Sequence, residues 1–269
     1  MKKEIIGECN CQYCGKELKQ EGLRIEIGGT EYIRKLEPER CDCELAKQYW
    51  KKVDEERNRK SEIELAYLKK QKQERLYKTS MMNPRLKEYT FENFQVKNYN
   101  RGAYRKAKEY AENYLSGTEL GSLYITGGVG TGKTHLAASI ANELIKNEKT
   151  VLFGTLINLL NEIKDSYSSE SDKEGLIIDR FSKVDMLIID NLGKERPSEW
   201  VLEKLFTIIN NRYENRLPVI ITTNYNRERL RERLSDNKNY EIADSIISRL
   251  YEMCKGISII GKDKRRELV

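Results

Sequence analysis

Residues 127–134 read Gly-Gly-Val-Gly-Thr-Gly-Lys-Thr and satisfy the phosphate-loop spacing G-x-x-x-x-G-K-[ST] at every fixed position. The residue types carry the chemistry. Gly127, Gly128, Gly130 and Gly132 permit positive φ and close approach of the backbone to a polyphosphate. Successive N–H groups around Val129 and Thr131 then line an anion nest, and the helix that follows presents its positive end. Lys133 can reach β- and γ-phosphates, and Thr134 can offer a hydroxyl to Mg²⁺. The run Gly127–His135 is read as the segment that holds a nucleoside triphosphate. His135, the single histidine, suits packing or hydrogen bonding on the first helical turn and gives no basis for a catalytic triad.

Two more apolar runs end in polar groups. Met186-Leu187-Ile188-Ile189-Asp190 has the form of a Walker B strand, whose carboxylate would emerge at the carboxyl end of a sheet and hold Mg²⁺. Val219–Thr223 leads to Asn224, whose amide either orients an attacking water or simply starts a turn.

Five of the six cysteines fall in residues 9–43, as Cys9-x-Cys11-x₂-Cys14, a gap of 26 residues, and Cys41-x-Cys43. Clustered thiols in a reducing compartment favour a metal over disulfides. Cys11, Cys14, Cys41 and Cys43 are read as a tetrahedral Zn²⁺ set, with Gly15 relieving a tight turn and Cys9 spare. The site would be structural, since an all-thiolate set leaves no open position. Cys254 reads as a buried packing thiol.

These groups need elements to hold them. Ser122–Thr126 reads as a strand and His135–Lys146 as a helix with an apolar face. Strands follow at Thr150–Thr155, Met186–Asp190, Val219–Thr223 and Ile257–Ile260, with helices at Leu156–Lys164, Trp200–Tyr213 and Ile242–Met253. Near-continuous apolar strands separated by helices imply a parallel five-stranded sheet covered on both faces. Ahead of this, Leu23, Ile25 and Ile27 alternate before Gly28-Gly29, then Tyr32 and Ile33 follow, which suggests a small hairpin. Between them, Glu44–Met82 is dominated by Lys, Glu, Arg and Gln without Gly or Pro, so it should be a solvated helix. The expected organisation is a cysteine-rich domain at 1–45, a charged helical linker at 46–86 and a nucleotide-binding domain at 87–269. With 269 residues, 34% charged and net charge +6, the chain permits nucleic-acid contact without marking a track for it. No stretch has the roughly 20 apolar residues needed for a membrane span, and the N-terminus lacks a secretory apolar region, so the expected location is cytoplasmic.

Gly-Thr-Gly-Lys-Thr-His-Leu-Ala at 130–137, Ile-Ile-Asp-Asn-Leu-Gly-Lys-Glu at 188–195 and Ile-Thr-Thr-Asn at 221–224 resemble the AAA+ ATPases of the DnaC/DnaI helicase-loader family. Thr90-Phe91-Glu92-Asn93-Phe94 and Ser248-Arg249-Leu250 belong to the same likeness, and the related IstB transposition ATPases share the core motifs. The resemblance spans essentially the whole chain, because such loaders carry a zinc-binding domain before the ATPase. It implies an AAA+ P-loop fold, ATP with Mg²⁺, and roles position by position. Lys133 and Thr134 would be Walker A, Asp190 Walker B and Asn224 sensor 1. Arg249 would be an arginine finger acting on a neighbouring subunit's nucleotide, and Arg265 a late contact to nucleotide of its own chain. Phe91 and Phe94 would lie near adenine or pack beneath the sheet edge.

Where the family carries a second acid, this chain has Asn191, which cannot act as a base; Glu195 is the nearby substitute, and weak hydrolysis is expected. The resemblance further implies a ring-shaped replicative DNA helicase as partner of the N-terminal domain, self-association on ATP, and single-stranded DNA. Asn158, Asn161, Lys164 and Tyr167 would face that strand, against an ordinary packed helix as the alternative. Other functions consistent with the motifs are an IstB-like transposition helper and a non-hydrolysing nucleotide-switch adaptor.

Overall fold

Three antiparallel strands form at the N-terminus, β1 (Lys2–Asn10), β2 (Glu17–Ile27), in which Leu23, Ile25 and Ile27 alternate with polar residues, and β3 (Thr30–Lys35). They belong to a computed structural model that describes residues 2–27, 30–118, 121–166, 174–194, 197–235, 240–261 and 263. The chain divides into two compact units, Met1–Lys70 and Gln71–Val269. In the first, β1 pairs with β2 from Lys2↔Arg24 to Asn10↔Glu17, with an irregularity between Ile5 and Gly7. The sequence signal missed β1, because Lys-Lys-Glu-Ile-Ile-Gly-Glu-Cys-Asn lacks clean alternation. Helix α1 (Glu44–Thr79) follows; Ala46 is its buried residue, as its sparse apolar content leads one to expect. Arg40 lies over the Trp50 ring at 4.7 Å and forks onto Asp54, tying the segment after β3 to the start of α1.

The second unit is a doubly covered parallel sheet. Its strands β4 (Ser122–Gly127), β5 (Val151–Thr155), β6 (Met186–Asp190), β7 (Val219–Thr223) and β8 (Cys254–Ile259) are arranged β5-β6-β7-β4-β8, every neighbouring pair parallel. The α/β class with a five-stranded parallel sheet, expected from the apolar runs, is what the chain adopts. β8 begins three residues earlier than its apolar run suggests, since Cys254 pairs with Ser122, and Cys254 is buried.

Strand residues alternate between two cores. One core takes Leu123, Ile125, Met186, Ile188, Ile220 and Ile257, covered by α3 (Arg101–Leu115) and α4 (Lys133–Lys146). The other takes Leu187, Ile189, Val219 and Ile221, covered by α5 (Leu156–Ser166), α6 (Glu174–Lys183), α7 (Glu199–Glu214), α8 (Arg227–Leu234) and α9 (Tyr240–Met253). The short α2 (Pro84–Glu88) precedes α3 and is capped by Asn83. The sequence pattern does not announce α2, α3, α6 or α8. α8 reads Arg-Glu-Arg-Leu-Arg-Glu-Arg-Leu and shows little but charge, yet Leu230 and Leu234 are fully buried at i, i+4 spacing. Among the described residues no helix is long and apolar enough to cross a membrane.

Arg212 on α7 is completely buried and donates to the carbonyls of Phe181, Val184, Asp185 and Pro218, just ahead of β6 and β7. Burial lowers its guanidinium to about 10, so it stays charged at neutral pH and fixes where both strands begin.

Candidate functional site

Period-2 alternation decides what meets at the carboxyl edge of the sheet. Asp190 follows Met186 and Ile188 on the face covered by α4, and Thr222 follows Ile220 on the same face. Thr134 stands in the first turn of α4. Its hydroxyl donates to Asp190 Oδ1 at 2.9 Å and approaches Oδ2 at 3.2 Å. Thr222 donates to the same Oδ1 at 2.5 Å and accepts from the Asn191 N–H at 2.8 Å. Thr222 is 1% exposed, and sequence reasoning overlooked it. A usable signal existed: a polar residue inside a fully apolar buried strand needs a hydrogen-bond partner. The Leu192 N–H donates to the Thr222 carbonyl at 2.9 Å, and Thr223 Oγ1 donates to the Leu192 carbonyl at 2.7 Å, so β7 carries the turn that follows Asp190. Within that turn Asn191 has φ +59°, a left-handed conformation that Asn and Asp adopt more readily than other side chains.

The phosphate loop connects β4 to α4. Gly127, Gly130 and Gly132 have φ of 157°, 73° and 103°, while Gly128 does not enter the left-handed range, contrary to the expectation for all four glycines. Gly132 caps α4 without any side-chain cap, which leaves the first amides of the helix to the loop. It must be glycine for a second reason: a Cβ there would come within 2.9 Å of the Phe94 ring. Lys133 is 7% exposed, and its ammonium donates to the carbonyls of Gly127 at 3.0 Å and Gly128 at 2.7 Å. Thr131 is buried and donates to the Gly128 carbonyl at 2.9 Å, whereas Val129 stands exposed at the loop tip.

The His135 side chain serves packing. Its Nε2 lies 3.0 Å from the Thr90 carbonyl and 2.9 Å from Asn93 Oδ1, so Nε2 carries the proton. The ring stacks on Tyr89 at 4.3 Å and meets the edge of Phe94 at 5.0 Å. Asn142, two turns further along α4 and buried, donates to the carbonyls of Leu86 and Tyr89. The Thr-Phe-Glu-Asn-Phe segment is therefore strapped to α4 beside the loop, with Phe91 and Phe94 in the core at 5% exposure each.

Asn224 follows β7 directly, half-buried, between the strands that carry the loop and Asp190. Arg249 lies elsewhere. On α9 its Nε donates to Asn210 Oδ1 at 2.7 Å and its Nη1 to the Ser245 carbonyl at 3.1 Å, with the guanidinium 4.7 Å from the Phe206 ring. These partners belong to α7 and α9, so the structure does not bring Arg249 to Lys133 or Asp190. Glu195, Arg265 and Tyr167 lie outside the described residues, as does the side chain of Lys164. On α5, Leu159, Leu160 and Ile163 are buried while Asn158 and Ile157 are exposed, the pattern of a packed amphipathic helix.

In the first unit, the turn from β1 to β2 and the start of α1 bring Cys11, Cys14, Cys41 and Cys43 together, their sulfurs all within 4.8 Å of one another. Cys14 Sγ lies 3.4 Å from that of Cys41, and Cys11 Sγ 3.9 Å from that of Cys43. Sulfurs at about 2.3 Å from one Zn²⁺ in a tetrahedron would be about 3.8 Å apart, so both the donor set and the spacing fit that ion. Gly15, at φ +75°, closes the turn by donating its N–H to the Cys11 carbonyl at 2.8 Å. The Tyr13 N–H, pointing at the Cys11 sulfur, brings that thiol down to about 7 against the resistance of burial. Cys9 sits in β1 opposite Leu18, outside the group of four.

The sequence profile of the IstB-like ATP binding proteins matches residues 54–268. The replicative helicase loader DnaC of Escherichia coli strain K12 is 30% identical over 166 residues, 61% of this chain and 67% of that protein. A crystal structure of the DnaC helicase loader superposes with a TM-score of 0.56 at 26% identity, covering 66% of this chain and 99% of that one. AMPPCP-bound DnaA from Aquifex aeolicus gives a TM-score of 0.55 at 27% identity, over 69% of this chain and 53% of that one.

Proposed function

The chain belongs to the IstB-like ATP-binding family, and from that premise we propose that it is an ATP-controlled loader of a replicative DNA helicase. The observation that carries the nucleotide reading is the meeting of Thr134 with Asp190 at 2.9 Å beside the Lys133 ammonium. A hydroxyl and a carboxylate make a hard oxygen pair suited to Mg²⁺, which when bound to ATP would neutralise phosphate charge. Lys133 and the loop amides bind the phosphates, Thr134 and Asp190 orient the cation, and Asn224 stands where it can hold a water. Glu195 and Arg265 remain candidates for the base and for a late nucleotide contact. Arg249, held on α9 against Asn210 and Phe206 of α7, would complete the site of a neighbouring copy, which makes hydrolysis depend on homo-oligomer formation. The same reading takes domain limits of 1–45, 46–86 and 87–269, with the zinc-stapled N-terminal domain engaging the helicase, single-stranded DNA contacting the ATPase domain, and a cytoplasmic location.

Asn191 makes ATP more a switch than a fuel. An amide cannot take a proton from water, and general-base assistance is worth about 10²–10⁴ in rate. Asn191→Asp suits the left-handed backbone at φ +59° better than Asn191→Glu and should raise ATP turnover about tenfold or more without changing ATP affinity. Steady-state hydrolysis beside an ATP titration checks this; equal rates in the two proteins would show that Asn191 does not limit the chemistry.

Pull-down of the native partner tests the biological role. Tagged full-length chain should retain the host's hexameric replicative helicase in ATP, and retain it less when Cys14 and Cys41 are both replaced by serine. A second reading, an IstB-like transposition helper, is favoured by the breadth of the family match over 54–268. Capture of a transposase together with duplex DNA, and no helicase, would establish it in place of the loader.

A further inference from the structure

We propose that Thr222, which belongs to neither the phosphate loop nor the Walker B strand, is a positioning residue that aims the Asp190 carboxylate at the divalent cation. The inference rests on the reading of Thr134 and Asp190 as the Mg²⁺ pair. A threonine hydroxyl has one proton and two lone pairs. Thr222 spends the proton on Asp190 Oδ1 at 2.5 Å and a lone pair on the Asn191 N–H at 2.8 Å, in a pocket that leaves it 1% exposed. The Asn191 N–H is a backbone group, so it fixes the lone pair it takes and turns the hydroxyl proton toward the carboxylate.

The same residue also holds the chain beyond the carboxylate, because its carbonyl accepts from the Leu192 N–H. Register explains why this position and no other can do so. β6 and β7 pair at Ile188↔Ile220 and Ile189↔Ile221, which places the next residue of β7 alongside Asp190. Asp190 Oδ1 thus has two donors, Thr222 from the sheet and Thr134 from α4. Removing the sheet donor leaves the direction of the carboxylate to Thr134 alone, the very residue that shares the cation with it. Hydrogen bonds behind a metal-binding carboxylate are typically worth about 10- to 100-fold in metal affinity.

The test is equilibrium binding of a fluorescent ATP analogue to the full chain, in Mg²⁺ and again in EDTA. The wild type should bind more tightly in Mg²⁺. Thr222→Val, nearly isosteric, should lose about 10-fold or more of affinity in Mg²⁺ while its EDTA value stays that of the wild type. Thr222→Ser, which restores the hydroxyl, should recover the Mg²⁺ gain. Should the valine variant fail to fold, Thr222→Cys, a weaker donor of similar volume, takes its place in the same comparison. A full Mg²⁺ gain in the valine or cysteine variant would overturn the role of Thr222 and leave the Asp190 reading intact. Equal losses in Mg²⁺ and EDTA would make Thr222 merely structural. A wild type indifferent to Mg²⁺ would overturn the Asp190 reading and this inference with it.

Discussion

Lys133→Ala is expected to abolish measurable ATP binding. The ammonium lies buried against the loop, donating to the carbonyls of Gly127 and Gly128, so it is already at the lip where a polyphosphate would sit. Charge-assisted hydrogen bonds contribute about 1.5–3 kcal/mol each. Losing two of them to phosphate oxygens costs about 3 kcal/mol or more, which is at least roughly 150-fold in affinity. The fold should tolerate the change, since α4 is anchored by Leu136, Ile140, Leu144 and Ile145 rather than by Lys133. Lys133→Met, which keeps the apolar stem, serves as the control for packing. Calorimetric or fluorescence titration of each variant decides the matter, with helical circular dichroism to show that it is folded. Tight ATP binding by either variant would remove the phosphate loop from the nucleotide site.

The second large effect belongs to the cysteines. Purified protein should hold one Zn²⁺ per chain, and stripping it, or replacing Cys14 and Cys41 together by serine, should unfold the first unit. The reason lies in its small core. Its buried apolar side chains among the described residues are Cys11, Leu18, Cys41 and Ala46, flanked by Cys9, Cys43 and Trp50. Ordering a residue costs about 1–2 kcal/mol of conformational entropy, which so little apolar burial cannot offset. Structural zinc supplies roughly 10–16 kcal/mol in small domains of this kind. The second unit has two extensive cores and should persist. Metal analysis by atomic absorption and thermal melting with and without chelator would show this as loss of one transition and survival of the other. A metal-free protein with both transitions intact would exclude zinc as the staple.

Much of the site was legible in the sequence because its determinants are local. The spacing of Gly127, Gly132, Lys133 and Thr134 is a property of one turn, and apolar runs of five residues announced β6 and β7 to the residue. The cysteine pairs were readable for the same reason, each pair lying within a few residues. Less legible were elements whose stability is tertiary. The charged face of α8 masks two buried leucines, and β1 exists through pairing with β2 rather than through its own pattern. His135 could equally have faced nucleotide or protein; only the positions of Tyr89, Thr90 and Asn93 turn it toward the strap.

The sequence by itself determined that this chain has a phosphate loop, an aspartate ending a buried strand, an asparagine after it and four thiols able to share one ion, because those are matters of residue type at short spacing. Tertiary structure decided which of them meet. Strand order put β7 between β6 and β4, and strand register brought Thr222 beside Asp190, 32 positions away. α9 packing carried Arg249 away from the loop of its own chain to Asn210 and Phe206. Register and packing depend on contacts between distant segments, and a linear pattern carries no record of which distant segment will lie alongside.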